Sequence, residues 1–184
     1  MRASLPITCL DNYCLDDYTA DMKNRLIPQN AQRRFDSLEQ EAYLSLWRTY
    51  DRLRAVEDEL FAHWELTPQQ YNVLRLLKSD HPEPMATLTL MSRLVSRAPD
   101  ITRMLDKLEL RKLISRSKRK NDRRSVMINI TAAGLVLLHE ISEPLQAAHE
   151  KQLGHLSGAD LKTLLKLLHA VRLPHETEGS PWRQ

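Results

Sequence analysis

Glycine is scarce in this sequence, with four residues in 184. So few glycines, set against abundant leucine, argue for helices and against a loop-rich β fold. Cysteine is scarcer still, and both copies, Cys9 and Cys14, fall in the first fifteen residues. One C-x4-C pair without partner ligands makes a poor metal site, and a reducing compartment keeps the two as incidental thiols. An exposed pair that closes into a redox disulfide is the alternative. No apolar run approaches the ~20 residues that span a bilayer. After Arg2, Pro6 and Asp11 interrupt the chain too early for a secretion signal. A cytoplasmic protein with no membrane partner is expected. Also missing are a Gly-rich phosphate loop, a G-x-S-x-G elbow and an H-E-x-x-H helix. His139, His149, His155 and His169 form no i, i+4 pair for zinc, and Glu57, Asp58 and Glu59 read as a solvated helix face. Neither a catalytic site, a metal nor a cofactor is expected.

Positive charge is present, and it is concentrated. Residues 111–124 hold Arg111, Lys112, Arg116, Lys118, Arg119, Lys120, Arg123 and Arg124 against one acid, Asp122. That segment is +7 where the whole chain is +3, so the remainder carries about −4. A local basic excess beside a helix with exposed polar groups is the electrostatic footprint of a nucleic-acid reader.

The order of elements frames that charge. Residues 1–34 are polar and unpatterned, contain Pro6 and Pro28, and are expected to be extended or disordered; Met22 offers a second start. From Phe35, apolar positions at Leu38, Ala42, Leu46, Leu53, Val56 and Leu60, with Thr49 in the series, predict about 27 residues of helix. Tyr43, Trp47 and Tyr50 form a second ridge beside that stripe. A helix apolar on so much of its circumference needs two partners, its own domain and another chain. Thr67, Pro68 and Gln70 supply the N-cap, first-turn proline and capping box of a second helix. It carries Tyr71, Val73, Leu74 and Leu77 inward and is expected to end before Ser79, ahead of Pro82 and Pro84.

Thr87 or Thr89 starts a short helix anchored by Leu90 and Leu94, and Val95-Ser96 makes a turn. Pro99 sits in the first turn of a helix reaching about Arg111, with Ile101, Leu105 and Leu108 as its core stripe. Two strands, Leu113–Lys118 and Ser125–Ile130, flank a basic tip, Arg119–Arg124. Val126, Ile128 and Ile130 alternate with polar neighbours, the period of a half-buried strand. Thr131 caps a helix striped by Leu135, Leu138, Ile141, Leu145 and Ala148, in which Pro144 predicts a kink or local break. Ser157 with Asp160 caps a last helix striped by Leu161, Leu164, Leu165, Leu168 and Val171. The tail from Pro174 is expected to be disordered.

The fold class is therefore mainly α with a small β-hairpin wing. A winged helix-turn-helix lobe is expected at 66–131, and dimerisation helices at 35–63 and 132–172. The domain spans 35–172, between tails at 1–34 and 173–184.

Over roughly residues 36–172 the sequence resembles the MarR family of bacterial winged-helix regulators, and within it the SlyA-like branch. The resemblance is carried by Leu66-Thr67-Pro68-Gln69-Gln70-Tyr71, by Pro99-Asp100-Ile101-Thr102-Arg103 and by Leu108-Glu109. Most specific is Asp122-Arg123-Arg124, followed after five residues by Ile130-Thr131. The resemblance implies a triangular homodimer with interlocked terminal helices. Each recognition helix would enter a major groove, and each wing the adjacent minor groove. It also implies a small aromatic or phenolic effector, bound between the dimer helices and the DNA lobe, that weakens DNA binding. Where the family usually has glycine before the first wing strand, this chain has Lys112, which must take a left-handed conformation or leave the helix differently. No cysteine lies at about residues 36–45, which separates the chain from the peroxide-sensing branch.

These readings assign roles to particular residues. Arg103 faces away from the core stripe, where an arginine can bond guanine O6 and N7; the alternative pairs it with Asp100 or Asp106. Ser96, Arg97, Pro99, Asp100, Thr102 and Lys107 belong to the same surface. Asp100 reads cytosine, orients Arg103 or caps the helix start. Arg123 and Arg124 are the minor-groove candidates, with Asp122 implied by the resemblance to hold one of them. Lys118, Arg119 and Lys120 would bind phosphate, and Arg116 is a DNA-binding candidate beside them; a solvated charged loop is the bland alternative. Trp47, Tyr50, Trp64 and Tyr71 would line an effector pocket or pack in the core. The expected function is a sequence-specific transcription regulator, a ligand-released repressor acting on a pseudo-palindromic operator. The alternatives are an architectural or anti-silencing A·T-preferring protein without effector and, further off, a metal-dependent enzyme.

Overall fold

The computed structural model describes residues 35–95, 100–119 and 122–183, with 119 and 122–125 described by backbone alone. The described residues divide into two units, one ending at Leu44 and the other beginning at Ser45. In the first, the Ser37 hydroxyl accepts a hydrogen bond from the Gln40 N–H at 3.2 Å, satisfying a donor at the start of α1 (Leu38–Ala62). The N-terminal tail, with Cys9 and Cys14, lies outside the described residues.

The second unit follows the expected order. It contains α2 (Pro68–Asp80), β1 (Met85–Ala86), α3 (Thr87–Arg93), α4 (Ile101–Leu110), β2 (Ile114–Arg119), β3 (Asp122–Ile130), α5 (Ala132–Leu153) and α6 (Gly158–Arg172). The fold is a winged helix-turn-helix with long flanking helices. The local caps form as their sequences dictate. Thr67 accepts from the Gln70 N–H while the Gln70 side chain accepts from the Thr67 N–H. Thr131 accepts from Gly134 N–H, and Ser157 from Asp160 N–H. Each such cap is worth about 1 kcal/mol.

Packing around α2 makes one core. Val73, Leu74 and Leu77 meet Leu90 and Leu94 of the α3 segment, Ile101, Leu105 and Leu108 of α4, Ile128 and Ile130 of β3, and Leu138, Ile141 and Leu145 of α5. Arg93 donates to both carboxylate oxygens of Asp80 at 2.8 Å and locks α3 to α2.

Four local features depart from the sequence reading. Helix α2 continues through Ser79 and Asp80, because a proline restricts only the residue before it; His81 takes the extended backbone. A third strand, β1, joins the sheet in the order β1-β3-β2, with Met85 opposite Ile128. Pro144 lies inside a continuous α5, so of the kink or break expected there the break does not occur. Beyond Arg172 the chain forms two 3-10 turns, Leu173–His175 and Pro181–Arg183. The Arg172 guanidinium, 3.4 Å from Glu176 and stacked 5.8 Å from the Trp182 ring, holds this tail back.

The wing strands also run closer together than expected, and Asp122–Arg124 belong to β3. Ile114 pairs with Ile130 and Lys118 with Val126, after which the register shifts so that Arg119 faces Asp122. Residues 123–125 fall within that bulge. Of the alternating positions, Ile128 and Ile130 are buried and Val126 is exposed.

The terminal helices differ from the lobe. Leu138, Ile141, Leu145 and Ala148 of α5 are buried, whereas α6 buries no residue in the single chain. Leu165, Leu167 and Val171 are all more than half exposed, as is Tyr50 on α1. Among the described residues, no helix is long and apolar enough to cross a membrane.

Candidate nucleic-acid interface

Helix α4 divides its surface into three ridges because residues three and four apart align. Ile101, Leu105 and Leu108 are buried in the core. Thr102, Asp106 and Glu109 form a second ridge, toward β2. Asp100, Arg103, Lys107 and Leu110 form the third, which points to solvent. Arg103 is 74% exposed and its nearest acid, Asp100, stands 3.9 Å away, a loose and solvated pair. Asp100 occupies the N-cap position but makes no side-chain cap bond. Arg103, Lys107 and Asp100 border a shallow cleft of about 280 Å³ that Thr67, Gln70 and Met104 complete.

The second ridge is occupied from within the chain. Ile114 of β2 is buried, and two residues on, by the strand period, Arg116 projects from the same side. Its Nη1 lies 2.6 Å from Asp106, its Nε 3.5 Å from Glu109, and its Nη2 donates to the Thr102 carbonyl at 3.4 Å. Arg116, expected among the DNA contacts, thus faces α4 instead. Thr102 stands on this ridge rather than beside Arg103. The sequence reading offers Asp106 as a partner for Arg103 and Glu109 only as part of the family pattern. Their i, i+3 spacing off the core stripe is the signal that they share a ridge, here taken by Arg116.

A third anchoring contact sits at the end of α4. Leu113 N–H donates to Leu108 O and Lys112 N–H to Glu109 O, closing the helix with Lys112 at φ 58°. The end of α1 repeats this geometry: Leu66 N–H donates to Phe61 O, Glu65 N–H to Ala62 O, and Glu65 has φ 52°. The Arg111 guanidinium spans the two ends, donating to Trp64 O at 2.9 Å and Glu65 O at 2.7 Å. The Thr131 hydroxyl donates to Lys112 O at 2.7 Å, so the wing base closes on the same loop.

Lys118 remains exposed on β2. Arg119, Asp122, Arg123 and Arg124 are placed by backbone at the distal end of the hairpin, while Ser96, Arg97, Pro99 and Lys120 lie outside the described residues.

Above the lobe lies a larger cavity of about 440 Å³, lined by residues of α1, α2, α4 and α5 and of the turn after α3. Of the four aromatics named for a pocket, Tyr50 and Tyr71 line this cavity, and Trp47 and Trp64 do not. Phe61, Leu94, Met104 and Leu145 give it apolar walls, and Glu57, Arg75 and His149 give it polar ones. The Phe61 and Tyr71 rings are 4.8 Å apart, and His149 Nε2 is 3.5 Å from Glu57 Oε1. Burial holds the Tyr71 hydroxyl above its ordinary pKa, with the Arg75 charge opposing and Glu57 adding to the rise. Single residues with helical spacing on different elements converge here, so no local motif announced the site. No group of three or more His, Cys, Asp or Glu capable of holding a metal occurs among the described residues.

Comparison with known proteins places these features in a family. Residues 66–126 match the model of the MarR family. A MarR transcription factor from Planctomyces limnophilus is 53% identical, with 74% of this chain and 99% of that one covered and a TM-score of 0.60. The HTH-type transcriptional regulator YpoP of Bacillus subtilis is 30% identical over 103 residues, covering 56% of this chain and 72% of its own length. The HTH-type transcriptional repressor NicR of Pseudomonas putida is 27% identical over 145 residues, covering 79% of this chain and 90% of its own.

Proposed function

Because this chain belongs to the MarR family, and is a DNA-binding transcription regulator rather than an enzyme, we propose that it is a homodimeric repressor released by a small aromatic or phenolic ligand. The carrying observation is the free ridge of α4, with Arg103 and Lys107 exposed on a helix whose other two ridges are occupied. A helix held in this way can enter a major groove without moving its supports. The basic hairpin beside it, including Lys118, Arg119, Lys120, Arg123 and Arg124, supplies phosphate and minor-groove contacts.

Dimerisation is supported by the unburied apolar faces of α1 and α6, which a single chain leaves in water. Two copies related by a twofold axis would set two recognition helices on half-sites of a pseudo-palindrome. The ligand reading rests on the cavity against Met104 of α4 and Leu94-Val95 just before it. A ring bound between Phe61, Tyr71 and Leu145 touches the element that carries Arg103. Repression is favoured by the likeness to the repressor NicR.

The test is selection of genomic fragments by the purified protein at near-physiological salt, followed by addition of aromatic compounds to the retained complexes. Recovery of a few inverted repeats, released by a compound that also raises the protein's melting temperature, is the expected outcome. Broad A·T-rich recovery without a repeat, and no release, would replace this function with the architectural one.

A further inference from the structure

We infer that Arg116 is a positioning residue for DNA reading: it fixes the recognition helix against the wing and screens the helix's own carboxylates, without touching DNA. The inference rests on α4 being the DNA-reading helix. The guanidinium lies against one ridge of α4: Nη1 is 2.6 Å from Asp106, Nη2 donates to the Thr102 carbonyl, and Nε is buried 3.5 Å from Glu109 without a hydrogen bond to it. The Arg116 side chain is 23% exposed, against 74% for Arg103. A phosphate oxygen could recruit Arg116 only by displacing it from a carboxylate 2.6 Å away.

Two consequences follow from charge and geometry. Without Arg116, Asp106 and Glu109 would be uncompensated negative groups on the helix that approaches a polyanion, and they would repel it. Arg116 also sits in the paired part of the hairpin, opposite Ile128, so the ion pair transmits the orientation of the wing to α4. A wing and a helix locked at one angle can satisfy a major-groove and a minor-groove contact at the same time. A loose pair satisfies them only on average, which lowers discrimination more than general affinity.

The experiment is a double-mutant cycle on the full chain, using the duplex retained in the selection and a scrambled duplex of the same length. The variants are Arg116→Gln, the pair Asp106→Asn with Glu109→Gln, and all three together, each checked by circular dichroism and thermal melting. Arg116→Gln is expected to lower affinity for the selected duplex about tenfold, within the 2- to 150-fold range of coupled contacts, and to change the scrambled duplex far less. Neutralising the two carboxylates breaks the same contact, so in the otherwise wild-type chain it is expected to lose discrimination as Arg116→Gln does. The triple variant is expected to lose no more than either, regaining only the affinity that repulsion removes from both duplexes alike. The salt dependence of binding is expected to keep its slope.

Additive effects, together with a slope shallower by about 0.9, would make Arg116 a direct phosphate ligand and overturn the inference. Should Arg116→Gln fail to fold, Arg116→Lys carries the test. It keeps the charge but cannot span both carboxylates, so it too should lose discrimination while keeping the slope. Equal affinity of the wild type for selected and scrambled duplexes would instead overturn the assignment of α4 itself.

Discussion

The Arg111 guanidinium donates a 2.7 Å hydrogen bond to the backbone carbonyl of Glu65, joining the end of α4 to the turn that follows α1. A second bond, to Trp64 O, makes the contact a fork. The carbonyls it meets belong to the turn just past the C-terminal end of α1, where the helix dipole favours a cation. Arg111→Ala is expected to cost about 1–2 kcal/mol. Thermal melting at fixed protein concentration should show a fall of about 2–4 °C for each kcal/mol lost. An unchanged midpoint would mean that the fork contributes nothing.

Lys112 holds a left-handed conformation at φ 58° in the position where such helix ends favour glycine. Lys112→Gly should relieve about 1 kcal/mol of that strain, visible as a higher urea midpoint with the same slope. Lys112→Val should move the midpoint the other way, since a β-branched side chain tolerates this conformation least.

Gly134 lies where the first turn of α5 crosses the wing base. A Cβ added there would overlap the Leu113 carbonyl oxygen and come within 2.7 Å of Ile130 Cγ1. Gly134→Ala is expected to destabilise the lobe by about 1–3 kcal/mol, because backbone must move. Hydrogen exchange of β2 and β3 amides would locate the loss; a variant as stable as wild type would contradict it.

Tyr71 predicts an alkaline transition. Its folded pKa is raised above 10.0 by burial, so the folded state holds the phenolic proton more tightly than the unfolded one. The corresponding stability is fully present below the unfolded value and is lost as pH rises through the folded one. Unfolding free energy should therefore fall more steeply above pH 10 in wild type than in Tyr71→Phe. Tyrosinate absorbance should show one phenol titrating later than the rest in wild type alone.

Arg103 and Lys118 should separate two kinds of DNA contact. Arg103→Ala is expected to cost about 1–3 kcal/mol on the selected operator and to relax the preference at one base pair. Lys118→Ala should weaken all duplexes alike and reduce the salt slope by about 0.9. Identical behaviour of the two variants would remove the distinction drawn between ridge and hairpin.

Much of this molecule was legible in one dimension, and the exceptions have a common cause. The Thr67, Thr131 and Ser157 caps, the core stripe of α4 and the α5 stripe depend on residues within a few positions of each other, and all form as read. Arg111 entered the reading only as charge in a basic hairpin, and Arg116 as a DNA contact. The first turned out to bind carbonyls 46 and 47 residues away, and the second a ridge of α4. The two-residue β1 was too short to leave a pattern and exists because β3 offers it a partner. Trp47 and Trp64 were chosen for the cavity by residue type; Phe61, Met104 and Leu145 line it because packing brings their helices together.

The sequence by itself determined the helices, their caps, the hairpin and the place of positive charge, since each follows from neighbouring residues and the period of the backbone. It also determined that α1 and α6 carry more apolar surface than one lobe can bury. Tertiary structure alone decided which cations remain available to DNA. A guanidinium has the same charge wherever it stands, and only the proximity of Asp106, Glu109 and the Glu65 carbonyl turns Arg116 and Arg111 inward while Arg103 stays free.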